Sequence, residues 1–259
     1  STTASGGNSY ASGYASTASG ANSYASGFLA TSSGANSTAI GVLATSSNDN
    51  SIAIGTLSAA SGFQSISIGA VSAASGGNAT TVGYGSYATG SGSSAYGQAA
   101  YAGGDLGASN ATAIGAASVA SGELSTAVGV TANATAINAS AFGGGAIASG
   151  GNSTALGTLS TASGSQATAT GYLASASGEN ATATGHLATA SGNFSTAIGT
   201  TATASSYLST AVGSSSSATN EAASAFGHYA TASGYLSTAI GQLATASGEL
   251  SSSLGQNSL

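Results

Sequence analysis

Apolar and hydroxylated residues alternate along almost the whole chain in short phrases, each closed by a glycine, as in STAIG at 195–199 and LATASG at 243–248. In T-A-I and T-A-S alike, the middle alanine points opposite to its neighbours, the period of two that belongs to a strand. The glycine closing T-A-I falls at 13, 27, 41, 55, 69, 83 and 97, then at 115, 129, 143, 157, 171, 185, 199, 213, 227, 241 and 255. That is a fixed period with one interruption, between Gly97 and Gly115. Each repeat divides into two similar halves, such as QLATASG (242–248) and ELSSSLG (249–255). A fixed period of this kind marks a repeat architecture, and a unit this short has no room for two helices. The pattern predicts an all-β, flattened parallel β-solenoid, with one repeat per coil, two short strands per coil and a glycine giving each turn its backbone freedom. Stacked coils would lie about 4.8 Å apart. The chain reads as a single domain over 1–259, with the four extra residues of the interrupted repeat inside 98–109.

The same alternation sorts side chains by direction. One row is small in both halves, as at Ser195 and Ala197 or Ala188 and Ala190, and should fill a thin interior where two sheets meet. The other row differs between halves. Just before the T-A-I glycine the side chain is apolar in all copies but four, whereas the matching place in the other half is Ser or Thr in every copy except Gly103. An exposed apolar ladder of that length calls for a partner, and the simplest is another copy of the chain in a cyclic homo-oligomer. The expected interface residues are Ile40, Ile54, Ile68, Val82, Ile114, Val128, Phe142, Leu156, Ile198, Val212, Phe226 and Ile240, with polar layers at Ser12, Ser26, Thr170 and Thr184.

Composition narrows the function. The chain has no Lys, Arg, Cys, Met, Trp or Pro and only six acidic residues, so 2% of it is charged where about a quarter is usual. Without a cation it cannot capture nucleic acid or an anionic membrane electrostatically, and no apolar run is long enough to enter a bilayer by itself. Starting at Ser1 without a leader, it reads as a piece of a longer polypeptide. Asp49, Glu123, Glu179, Glu221 and Glu249 all follow the second-half turn, and His186 and His228 follow the first-half turn. Charge at turn tips, several coils apart, assembles neither an acid–base pair nor a ligand set, so we expect no enzyme, no metal site and no cofactor. Asn-x-Ser/Thr triplets at Asn36, Asn78, Asn152 and Asn180 read either as glycan acceptors or as turn residues in repeat register. Tyr14, Phe28, Phe63, Tyr84, Tyr172, Tyr207 and Tyr235 sit at turn tips, where aromatics read either as exposed adhesive groups or as packing between the turns of adjacent coils. The segment 98–109, with Tyr101 and Asp105, is the loop that escapes the repeat, and it reads either as a recognition loop or as a tolerated insertion. The candidate ligand-binding residues are therefore Tyr101, Asp105, Tyr172, Tyr207 and Tyr235.

NSTAIG (36–41), NATAIG (110–115) and NSTALG (152–157) closely resemble the NSVAIG motif of the head domains of trimeric autotransporter adhesins, the YadA-like group of Gram-negative surface proteins. The resemblance implies a left-handed parallel β-roll assembled as a homotrimer. It also implies a head held off the outer membrane by a coiled-coil stalk and a membrane-anchored barrel, neither of which is present in these residues. The function it implies is non-catalytic attachment of a bacterium to host cells, extracellular matrix or other surfaces. Collagen binding does not carry over, because the Lys and Arg common on such heads are missing and Thr replaces Val in most motifs. Two other readings follow from the residues. TAT at 168–170 and 182–184 suggests ice binding, although the paired Thr ranks span only two adjacent copies, and the Gly/Ala/Ser content suggests a silk-like structural filament.

Overall fold

Strands of two and three residues alternate without any helix among the residues that the computed structural model describes, 1–104 and 109–259. Two units, Ser1–Thr131 and Ala132–Leu259, are taken in turn. In the first, three-residue strands such as Thr38–Ile40 and Ile52–Ile54 pair in parallel, with Ala39 opposite Ala53 and Ile40 opposite Ile54. Two-residue strands such as Thr17–Ala18 and Thr31–Ser32 form a second parallel sheet in the same way. In the second unit Thr196–Ile198 pairs with Thr210–Val212, and Thr189–Ala190 with Thr203–Ala204. Each partner is the equivalent residue of the next repeat, so each unit is a parallel β-solenoid with one repeat per coil. Register survives the interrupted repeat, because Tyr96 still pairs with Ile114 and Tyr101 with Val119.

The interior is made of alanine and serine. Ala183, Ala188, Ala190, Ser195 and Ala197 are fully buried, and the largest fully buried side chain among the described residues is Thr81. Two sheets can approach this closely only because nothing larger stands between them. Some buried hydroxyls are returned to the backbone, as Ser37 Oγ donates to Gly34 O (2.7 Å) and Ser65 Oγ to Gly62 O (2.7 Å), whereas those of Ser23, Ser153, Ser195 and Ser237 have no hydrogen-bond partner. Others pair across the interior at a constant spacing along the chain: Ser32 with Ser37 (2.6 Å), Ser46 with Ser51 (2.6 Å) and Ser67 with Ser72 (2.8 Å).

The turns differ from the expectation of one kind of turn glycine in both halves of the repeat. Glycines that close T-A-I, such as Gly185 and Gly199, have φ of 135°. Those that close T-A-S have no left-handed φ and are needed for a different reason: a Cβ on Gly164 would lie 1.9 Å from the carbonyl oxygen of Gly178 in the next coil. The left-handed residue of each turn stands two places after the glycine and is mostly Leu or Asn, for instance Leu43 (φ 57°), Leu187 (φ 58°), Asn36 (φ 54°) and Asn152 (φ 56°). Asn tolerates this region and is enriched there. Its amides also form ladders along the turn, Asn8 Nδ2 to Asn22 Oδ1 (3.2 Å), Asn22 to Asn36 (3.0 Å), Asn36 to Asn50 (3.3 Å) and Asn138 to Asn152 (3.1 Å). The Asn-x-Ser/Thr triplets at 36 and 152 therefore begin on asparagines that build the turn.

Candidate functional site

Each coil offers two outward faces and two turns. On the three-residue strands the residue before the glycine points outward, and Ile40, Ile54, Ile68 and Ile198 are 37–41% exposed. In the first unit the file runs Ile40, Ile54, Ile68, Val82, Tyr96, Ile114 and Val128 in strand register. In the second, Phe142 and Leu156 are followed by Thr170 and Thr184, after which Ile198, Val212, Phe226 and Ile240 continue it. Val128 and Val212 are half-buried and the other expected interface residues are exposed.

In each unit a second apolar run lies along the adjoining turn, and the alternation pattern does not anticipate it. Leu43, Leu57, Leu159, Leu187 and Leu243 occupy the left-handed position two places after the glycine, and all are exposed. A bulky side chain in that backbone region is a genuine outlier, and exposing it to water adds a second cost. The recurring Leu in GxLA is the available signal, but only the backbone conformation shows that the residue faces outward.

The face of the two-residue strands is different. From 161 to 247 its outward positions are all hydroxylated, as in Thr189 and Ser191 or Thr203 and Ser205, in parallel register. In the first unit the same face carries Tyr87, Tyr101 and Val119 on consecutive strands.

The candidate ligand residues do not converge. Tyr101 is half-buried on that outward face, its hydroxyl 3.5 Å from Thr89 Oγ1. Asp105 lies outside the described residues. Tyr172 stands at the turn after a three-residue strand, its ring stacked on His186 with centroids 5.5 Å apart. Tyr207, at the opposite kind of turn, meets Phe194 edge-on at 5.9 Å, and Tyr235 occupies the same turn position two coils later. Asp49, Glu123, Glu179, Glu221, Glu249, His186 and His228 are all exposed. No three His, Cys, Asp or Glu come together among the described residues.

Comparison with known proteins bears on these surfaces. A family profile described as "YadA head domain repeat (2 copies)" matches residues 3–31, 32–58, 107–123, 120–146, 148–174, 176–202, 204–230 and 232–258. The chain belongs to the YadA head family. Among solved structures this YadA-type head is similar to the collagen-binding domain of the Yersinia adhesin YadA, with 27% identity over 69% of this chain and 70% of that one, at a TM-score of 0.26. A search of curated proteins finds no significant match. Family membership accounts for the repeat and its register.

Proposed function

We propose that this chain forms one head domain of a cell-surface adhesin of a Gram-negative bacterium. It is a left-handed β-roll that assembles as a homotrimer, projects from the outer membrane on a stalk and anchor, and attaches without catalysis to host cells, extracellular matrix or other surfaces. The observation that carries this reading is the pair of adjoining apolar files, Ile40 to Ile68 on the sheet and Leu43 to Leu57 at its turn. Covering each such side chain is worth about 1.5–3 kcal/mol. The two files point in different directions, outward from a sheet face and outward from its edge, so one flat partner cannot cover both. A cyclic trimer gives every chain two neighbours, one for each file. Collagen, the ligand of the Yersinia domain, is one candidate among matrix proteins, and Tyr101, Asp105, Tyr172, Tyr207 and Tyr235 are the contact residues we propose.

Light scattering should give a mass about three times that of the 23.6 kDa chain. Glutamate at both Ile54 and Ile198 should release monomers, because charge at a buried apolar contact has no partner here. A stable wild-type monomer would overturn the trimer. Beads coated with the head should attach saturably to cultured cells or to immobilised matrix proteins and should not be retained on heparin. Failure to attach to any of them would remove the adhesive reading.

The hydroxylated face favours a second reading. Its two files of Thr and Ser run through seven consecutive coils from Thr161 to Ser247, a longer and more regular array than the TAT pairs, and parallel ranks of hydroxyls about 4.8 Å apart could order an ice lattice. Thermal hysteresis at micromolar protein would favour ice as the surface bound, and its absence would remove this reading.

A further inference from the structure

The outward file of the two-residue strands is threonine or alanine from Thr3 to Ala73, and then becomes Tyr87, Tyr101 and Val119 on the last three such strands of the first unit. At strand spacings of about 4.8 Å these side chains make a strip about 10 Å long. The same coils are cut back on the side of the left-handed turn. The left-handed turn position, Leu43 and Leu57 in earlier coils, is here Gly85, Ala99 and Ala117. On the other side Gly103 replaces the usual Ser or Thr and packs so close that a Cβ would lie 2.4 Å from Gly90 N. Rings that merely filled the space left by the missing leucines would be covered, yet Tyr87 is 41% exposed. The Tyr101 hydroxyl, 3.5 Å from Thr89 Oγ1, tilts that ring across the neighbouring strand. Tyr84, at the turn of the same coil, is also exposed. The chain has no Lys or Arg, and the acidic residues nearest in sequence to the strip are Asp105 and Glu123.

We propose that Tyr87 and Tyr101 are a platform for the face of a neutral sugar ring, and that an uncharged oligosaccharide is the ligand bound here. The inference rests on the adhesive reading and assigns its ligand a chemical class. A flat aromatic ring takes the apolar C–H face of a pyranose, and the hydroxyls of Ser75, Thr89 and Ser121 around the strip are the donors and acceptors that the sugar's rim needs. An anionic glycan would find no cation. An extended peptide would find no free backbone edge, because the strands bearing these tyrosines pair with the coils on both sides and leave no place for strand addition.

Saturation-transfer NMR with neutral oligomers of glucose, mannose and N-acetylglucosamine tests this on the whole chain. The wild-type head should transfer saturation to at least one of them. Tyr87→Ala and Tyr101→Ala should weaken that binding at least about tenfold, the loss expected on truncating an aromatic anchor. Gly85→Leu should weaken it equally by covering the platform. That variant should fold, because Leu57 holds φ 58° at the equivalent place, Gly85 already has φ 60°, and no atom lies within 4 Å of an added Cβ. Phe63→Ala, at the opposite turn, should bind as wild type. Saturation transfer to none of the oligomers, or unchanged binding in Tyr101→Ala and Gly85→Leu, overturns the proposal. Attachment to cells without sugar binding would sink the sugar and leave the adhesin standing, whereas sugar binding without attachment would do the reverse.

Discussion

Gly185→Ala is expected to destabilise the head far more than Gly178→Ala, although the two glycines close successive halves of the repeat and similar phrases. Gly185 has φ 135°, and an added Cβ would sit 2.4 Å from the carbonyl oxygen of Gly199. The methyl would therefore meet both a forbidden backbone conformation, which alone costs about 1–3 kcal/mol, and a carbonyl oxygen of the next coil. Gly178 has an ordinary φ, and its Cβ would meet the carbonyl oxygen of Gly192 at 2.0 Å. That overlap is relieved in nature: Asn48, Ala136, Ser206 and Asn220 hold the equivalent position in four other coils, whereas the Gly185 position is glycine in every coil. We expect a loss of about 3 kcal/mol or more for Gly185→Ala and about 1 kcal/mol for Gly178→Ala, in the range where backbone strain separates from ordinary substitutions. Denaturant unfolding of the two variants checks this, and equal losses would return both glycines to one role.

The second large effect is in the interior. Ala197→Leu should abolish cooperative folding of its coil or lower stability by more than the roughly 1–3 kcal/mol typical of overpacking. Ala197 is fully buried, and so are Ala188, Ala190, Ala202 and Ala204 around it, which leaves no larger neighbour to shift or change rotamer. Ala197→Ser should cost only about 1 kcal/mol, the penalty for a buried hydroxyl without a partner. Adding Ala202→Ser should recover most of it. The double variant recreates the spacing at which Ser67 meets Ser72 at 2.8 Å and Ser32 meets Ser37 at 2.6 Å. Thermal unfolding of the two single variants and the double variant measures the coupling directly. A double variant no more stable than Ala197→Ser would mean that these serine pairs are incidental.

The candidate site was only partly legible before the fold was known. Exposure of Ile198 and burial of Ala197 follow from alternation alone, because adjacent residues of a strand must face opposite ways. Leu43 and Leu187 carried no such signal: a leucine after a turn glycine reads as turn filling until its positive φ places it outside. Tyr101 was singled out because it stands near the interrupted repeat. What gives it a setting is Tyr87, one coil earlier and beside it on the adjacent strand, together with the trimmed positions Gly85 and Ala99 and with Gly103. Those relations join residues of different coils, so reading along one coil does not bring them together.

By itself the sequence determined the period, the strand character of each half-repeat, the small interior and the confinement of charge to the turns. All four are consequences of local geometry, repeated until no other register buries the alanines. Only the tertiary structure decided which glycines serve conformation and which serve contact between coils, and that the left-handed turn residue is mostly Leu or Asn. It also showed that in the first unit the face of the two-residue strands carries an exposed Tyr87 beside a half-buried Tyr101. Each of those depends on distances between chain segments one repeat apart, and stacking of the coils is what sets them.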